Sequence, residues 1–119
     1  MQVLLVDDMA SVRAILKVYL RDFGFTFAEA PNGAEGLVQA RQSKPDLIVV
    51  DLMMPVMDGT RFLSEVRKDP DLTSIPVIVL SANSDQFKLD PSKGRTYVAL
   101  KPIEPEALKK VVKEALQIA

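Results

Sequence analysis

The sequence predicts an α/β fold: a doubly wound, five-stranded parallel sheet with helices on both faces. Three observations carry that prediction. Short runs apolar throughout, such as VLLV at residues 3–6 and LIVV at 47–50, read as strands buried on both sides. Longer stretches with helical periodicity lie between such runs. The two patterns alternate along the chain, and right-handed strand–helix–strand units place helices on both sides of a sheet.

Each element follows in order. Val3 to Val6 forms the first strand, stopped by Asp7 and Asp8. Val12, Ile15, Leu16, Tyr19, Leu20 and Phe23 share one face of an amphipathic helix, and Gly24 ends it. Phe25 to Glu29 is a second strand, and the charge at Glu29 places it at a sheet edge. Asn32 with Glu35 marks a capped helix start, and Pro45 limits that helix. Leu47 to Val50 is the third strand, ending in Asp51. Asp58 is expected to cap a helix that buries Phe62, Leu63 and Val66, with Arg67 and Lys68 at the dipole's negative end. Val77 to Leu80 and Tyr97 to Leu100 are the fourth and fifth strands. The last helix, Glu104 to Ile118, carries Pro105 in its first turn and buries Leu108, Val111, Val112, Ala115 and Leu116.

At 119 residues, and with no internal repeat or linker, residues 1–119 are expected to form one domain. The 48% hydrophobic and 26% charged content indicates a globular chain with a proper core. A net charge of −1 without a basic block argues against direct nucleic-acid or anionic-membrane binding. The absence of cysteine excludes disulfides and thiolate metal sites. The absence of histidine removes the commonest general base and transition-metal ligand. Any metal must therefore sit on oxygen, which favours Mg²⁺, Mn²⁺ or Ca²⁺. The N-terminal apolar run is too short for a signal peptide or a membrane span, so a cytoplasmic location is expected.

Chemistry concentrates at the carboxyl ends of the strands, where open parallel sheets bind ligands. Asp7 and Asp8 end the first strand, Asp51 the third, Ser81 the fourth and Lys101 the fifth. Each alone has an ordinary explanation as a helix cap, a turn residue or a solvated end. Together they crowd three carboxylates against one ammonium. Such a group costs several kcal/mol unless a cation or shared protons compensate. A divalent ion on oxygen ligands is the simplest compensation. Metal, carboxylate, hydroxyl and ammonium together could carry phosphoryl transfer, with a carboxylate as nucleophile.

These residues stand in the motifs LLVDD, DLIVVDLMMPVMDG, IPVIVLSA and YVALKP. In that order and spacing, over essentially the whole chain, the sequence resembles the receiver domains of two-component response regulators. The resemblance implies a flavodoxin-like strand order 2-1-3-4-5. It implies that Asp51 is the phosphoacceptor and that Mg²⁺, or Mn²⁺, is held by Asp8, Asp7, Asp51 and the backbone carbonyl of Met53. Ser81 would bond the phosphoryl group and Lys101 would pair with it or with Asp51. Pro102 would follow a cis bond. The phosphate would come from a histidine kinase or a histidine phosphotransfer protein, and an output protein would bind a face built from the fourth helix, fifth strand and last helix. The domain would catalyse its own phosphorylation and slow dephosphorylation, and would not otherwise be an enzyme.

Two departures stand out. Family members carry an aromatic residue three positions before the lysine; here Val98 occupies it, and Tyr97 falls on the opposite strand face. A weaker or rerouted phosphorylation signal is expected. Asp90–Pro91 limits the fourth helix to a short or irregular segment, about Asp85 to Leu89. With no output domain after the last helix, the chain reads either as a free-standing receiver or as one cut from a longer protein. The main rival function is a receiver-shaped interaction module no longer switched by phosphate. An Asp-nucleophile phosphatase fits less well, because Met53 stands where a second acid or base is needed. A nucleotide-binding module lacks a Gly-rich loop after the first strand.

Overall fold

The structure, a computed structural model, describes residues 1–52, 57, 59–82 and 95–118. Strands β1 (Gln2–Val6), β2 (Thr26–Ala30), β3 (Leu47–Asp51), β4 (Val77–Ser81) and β5 (Thr96–Leu100) pair in parallel in the order β2-β1-β3-β4-β5. This is the expected order. The three central strands are the most apolar, and β3 and β4 are buried at every position. The edge strands β2 and β5 are only partly buried, which suits their mixed composition.

Helices α1 (Ala10–Leu20), α2 (Gly33–Ser43), α3 (Gly59–Lys68) and α4 (Pro105–Leu116) connect or flank the strands. Strand alternation divides the core into two layers. On one face Leu4, Val6, Ile48, Val50, Val77 and Val79 pack with Leu37 and Ala40 of α2 and with Phe62, Leu63 and Val66 of α3. On the other, Val3, Leu5, Leu47, Val49, Ile78 and Leu80 meet Leu16 and Leu20 of α1 and Leu108, Val112 and Ala115 of α4. The predicted fourth helix near residues 85–89, and the predicted cap at Asp58, lie outside the described residues.

Several local expectations are met. Asn32 Oδ1 accepts the Glu35 N–H at 2.9 Å and caps α2. Gly24 has φ 73°, the left-handed conformation that ends a helix without Cβ strain. The Lys101–Pro102 peptide is cis.

Three details differ. The second strand begins one residue later than predicted and includes Ala30, because Val6 of β1 needs a partner there. Arg67 does more than complement the α3 dipole. Its guanidinium donates to the carbonyls of Thr73, Ile75 and Arg95, each at 2.8 Å, and so ties α3 to the starts of β4 and β5. Ile15, expected in the core, is 47% exposed, whereas Leu16 is 1% exposed. The buried stripe of α1 is narrower than its apolar stripe. The outward part lines a groove of about 320 Å³ with Val12, Tyr19, Pro102 and Ile103.

Those two neighbouring residues should therefore respond differently to truncation. Leu16→Ala should cost roughly 2–5 kcal/mol, the range for emptying a buried leucine site. Ile15→Ala should cost less than about 1 kcal/mol. Urea unfolding midpoints at constant m-value measure both; equal losses would contradict the packing.

Candidate functional site

The sheet register assembles the site. Val6 pairs with Val50, so the next residues, Asp7 and Asp51, emerge side by side from the two central strands. Asp51 pairs with Leu80, and Ser81 closes β4 one residue further on. Ser81 pairs with Leu100 of β5, which brings Lys101 to the same end. The Lys101 N–H donates to the Ser81 carbonyl at 2.8 Å, so these two polar strand ends are joined through the backbone.

The charged groups converge. Lys101 Nζ donates to Asp51 Oδ1 at 3.0 Å. One carboxylate oxygen from each of Asp7, Asp8 and Asp51 lies within 4.8 Å of the others. Asp7, Asp51 and Ser81 are buried, while Asp8 is exposed at the rim. Met53, whose carbonyl was expected as a further ligand, lies outside the described residues.

Asp7 is held on several sides. Its N–H donates to the Ala30 carbonyl at 3.1 Å, and its Oδ1 accepts the Met9 N–H at 2.9 Å. Its carbonyl accepts from the Arg13 guanidinium. Its Oδ2 is buried without a hydrogen-bond partner. A bond from Oδ2 to Asp8 would need a proton on one of the two carboxylates. Burial pushes the Asp7 carboxyl up to about 6; the Met9 N–H opposes this, the neighbouring Asp51 and Asp8 add to it, and Lys101 opposes it.

The donor set fits a hard divalent cation. It consists of oxygen alone, carries like charges at close range and leaves one buried oxygen unpartnered. Gly59 packs tightly against the end of β3. The Gly59 N–H donates to the Leu52 carbonyl at 2.8 Å, and a Cβ on Gly59 would lie 2.6 Å from the Asp51 carbonyl oxygen. Only glycine permits that approach.

The structure thus brings together Asp7, Asp8, Asp51 and Lys101, with Ser81 on the adjoining strand end. Sequence reasoning missed a group of three neighbours, Arg13, Lys17 and Glu29. Arg13 Nε donates to Glu29 Oε1 at 3.1 Å, and Lys17 Nζ reaches Glu29 Oε2 at 2.9 Å. These cations hold the Glu29 carboxyl below its usual range, Lys17 contributing most. The available signal was the charge of Glu29 inside a strand, opposite two basic residues one helical turn apart.

A family model for the response regulator receiver domain matches residues 3–113. The chain belongs to that family, and is a CheY-like receiver domain of two-component signalling. It is 34% identical to the chemotaxis protein CheY of Pseudomonas aeruginosa, over 98% of this chain and 97% of that protein. It is 37% identical to the sensor histidine kinase CheAY of Helicobacter pylori, over 98% of this chain but 15% of that protein. The chemotaxis response regulator CheY4 of Vibrio cholerae superposes with a TM-score of 0.87 at 32% identity, covering 97% of this chain and 98% of that one. The chain spans less than half the length of several curated relatives it matches. Among the described residues, no helix is long and apolar enough to cross a membrane.

The raised Asp7 carboxyl has a signed consequence. Between about pH 4 and 6 the folded state holds a proton that the unfolded state has lost. Stability from this group therefore falls as pH rises through that window, by up to roughly 3 kcal/mol. Asp7→Asn keeps an acceptor for Met9 and removes the charge. In EDTA at pH 7.5 it should be more stable than the parent, with the advantage shrinking towards pH 4. Urea unfolding across that range measures the difference.

Proposed function

We propose that this receiver domain is a phosphoacceptor. It takes a phosphoryl group from the phosphohistidine of a histidine kinase or histidine phosphotransfer protein onto Asp51, and phosphorylation changes its binding to an output protein. The observation that carries this reading is the buried Asp51 carboxylate, 3.0 Å from Lys101 and grouped with Asp7 and Asp8.

In this reading an Asp51 oxygen forms the bond to phosphorus while the donor's phosphorus–nitrogen bond breaks, and that electron pair leaves with the imidazole nitrogen. Lys101 exchanges part of its contact with Asp51 for the incoming phosphoryl oxygens, and the Ser81 hydroxyl donates to another. Asp7, Asp8 and Asp51, with the Met53 carbonyl, would hold Mg²⁺ or Mn²⁺. The ion would supply charge neutralisation between the acceptor and the phosphoryl group. The close approach of Gly59 to the Asp51 and Leu52 backbone supports the nucleophile's strand end. The domain performs its own phosphorylation and slow dephosphorylation and needs no further substrate.

The partner surfaces follow from the same end of the sheet. The groove along Ile15 opens beside Lys101, where a donor protein must approach. A second groove of about 260 Å³ runs between β5 and α4, past Val98, Leu100, Ile103 and Val111, and supports an output surface there.

Acetyl phosphate with Mg²⁺ tests the reading by intact mass. The protein should gain one phosphoryl group, and Asp51→Asn or excess EDTA should abolish the gain. Lys101→Ala should slow it by on the order of 100-fold, as for the loss of one charge-stabilising donor. No gain in a parent protein that binds Mg²⁺ normally would overturn the phosphoacceptor role.

A further inference from the structure

The Arg13 side chain is 15% exposed and has two anchors. One is the backbone carbonyl of Asp7, and the other is the Glu29 carboxylate on edge strand β2. Glu29 is held in turn by Lys17, one turn further along α1. Arg13 therefore ties the first residue after β1 both to its own helix and to the neighbouring strand. The Asp7 N–H is already committed to Ala30 of that same strand. Between them these bonds leave the Asp7 peptide little freedom to rotate.

Charge alone does not explain this placement. A guanidinium that served to neutralise the acidic cluster would bond its carboxylates. Arg13 instead spends its donors on a backbone carbonyl and on Glu29, which lies outside the cluster. Its planar fork suits two acceptors at once, which a lysine ammonium matches poorly. Lys101, by contrast, contacts a cluster carboxylate directly.

We infer that Arg13 is a positioning residue for the divalent-cation site: by bonding the Asp7 carbonyl and Glu29 together it presets the Asp7 carboxylate, and so raises cation affinity. The inference rests on the metal-binding part of the proposed function and not on phosphoryl transfer. It makes a prediction of unusual sign. Removing a positive charge near an acidic site should tighten cation binding if only electrostatics acts. Removing a brace should weaken it, because metal affinity depends on groups that orient the ligands.

Isothermal titration with Mn²⁺ and Mg²⁺ measures the affinity directly, at a temperature where thermal melts show each variant folded. Arg13→Ala should weaken binding by on the order of tenfold. Arg13→Lys conserves charge and should also weaken it, by less. Lys17→Ala removes a charge from the same patch without touching the Asp7 carbonyl, and should leave affinity unchanged or slightly tighter. With acetyl phosphate, Arg13→Lys should raise the Mg²⁺ concentration for half-maximal rate while leaving the rate at saturating Mg²⁺ within about twofold, since orientation of the acids is then restored by the ion. Unchanged or tighter binding in Arg13→Lys overturns the inference, and so does a parent that binds neither ion. A parent that binds the ions but accepts no phosphoryl group overturns the phosphoacceptor reading alone, with the affinity comparison still standing.

Discussion

Three carboxylates held within 4.8 Å of one another are the constraint on which the rest of this structure depends. At an effective dielectric near 20, two full charges at that separation repel by roughly 3–4 kcal/mol. A flexible chain would relieve the strain by moving the groups apart. Here Asp7 and Asp51 leave neighbouring central strands whose register is fixed by burial on both faces, so a slip of one residue would expose a whole apolar set. The core's stability is thereby set against a local repulsion. The protein tolerates the repulsion because the raised Asp7 carboxyl can take a proton and because Lys101 offsets Asp51.

The two ends of the sheet use cations differently, and the difference separates scaffolding from chemistry. At the amino end, Arg67 donates to three carbonyls and binds α3 to the strands beside it. At the carboxyl end, Arg13 likewise grips backbone, but it grips the peptide that carries an acid. Lys101 is given to a carboxylate of the cluster, and its ammonium rides on a flexible aliphatic stem. A lysine can shift towards a new anion at little cost, whereas a forked arginine would resist. One braced arginine beside one adaptable lysine suits a site whose charge changes.

Much of this was legible in the sequence, for identifiable physical reasons. Strands buried on both faces have a signature that needs no partner information, and β1, β3 and β4 were read almost to the residue. The polar residues that stop them were visible as a set because parallel topology brings like ends together. The strand order came from the resemblance to receiver domains, since hydrophobic runs do not say which strands are adjacent. Ile15 was misplaced because apolar periodicity gives the direction of a helix face and not the width that its neighbours cover. Arg13 and Glu29 escaped notice because their relation crosses from a helix to a strand 16 residues later, and only the fold makes them neighbours.

The path from the site to β5 is where this chain is most its own. Val98 stands beside Val79, and Tyr97 stands beside Ile78, on opposite faces of the sheet. Tyr97 packs against the layer formed with α1 and α4, beside Ile78. Its ring could reach the face of Val98 only by reversing the alternation of β5, which would break four or more register pairs. Tyr97 therefore stands off the strand face that the position three residues before Lys101 occupies. The main chain joins Ser81 to the end of β5: the Lys101 N–H donates to the Ser81 carbonyl at 2.8 Å. Any displacement of the Ser81 carbonyl would act on that bond and so on the Lys101 backbone. The end of β5 is thus joined to the site through the backbone, whichever side chain occupies the position of Val98.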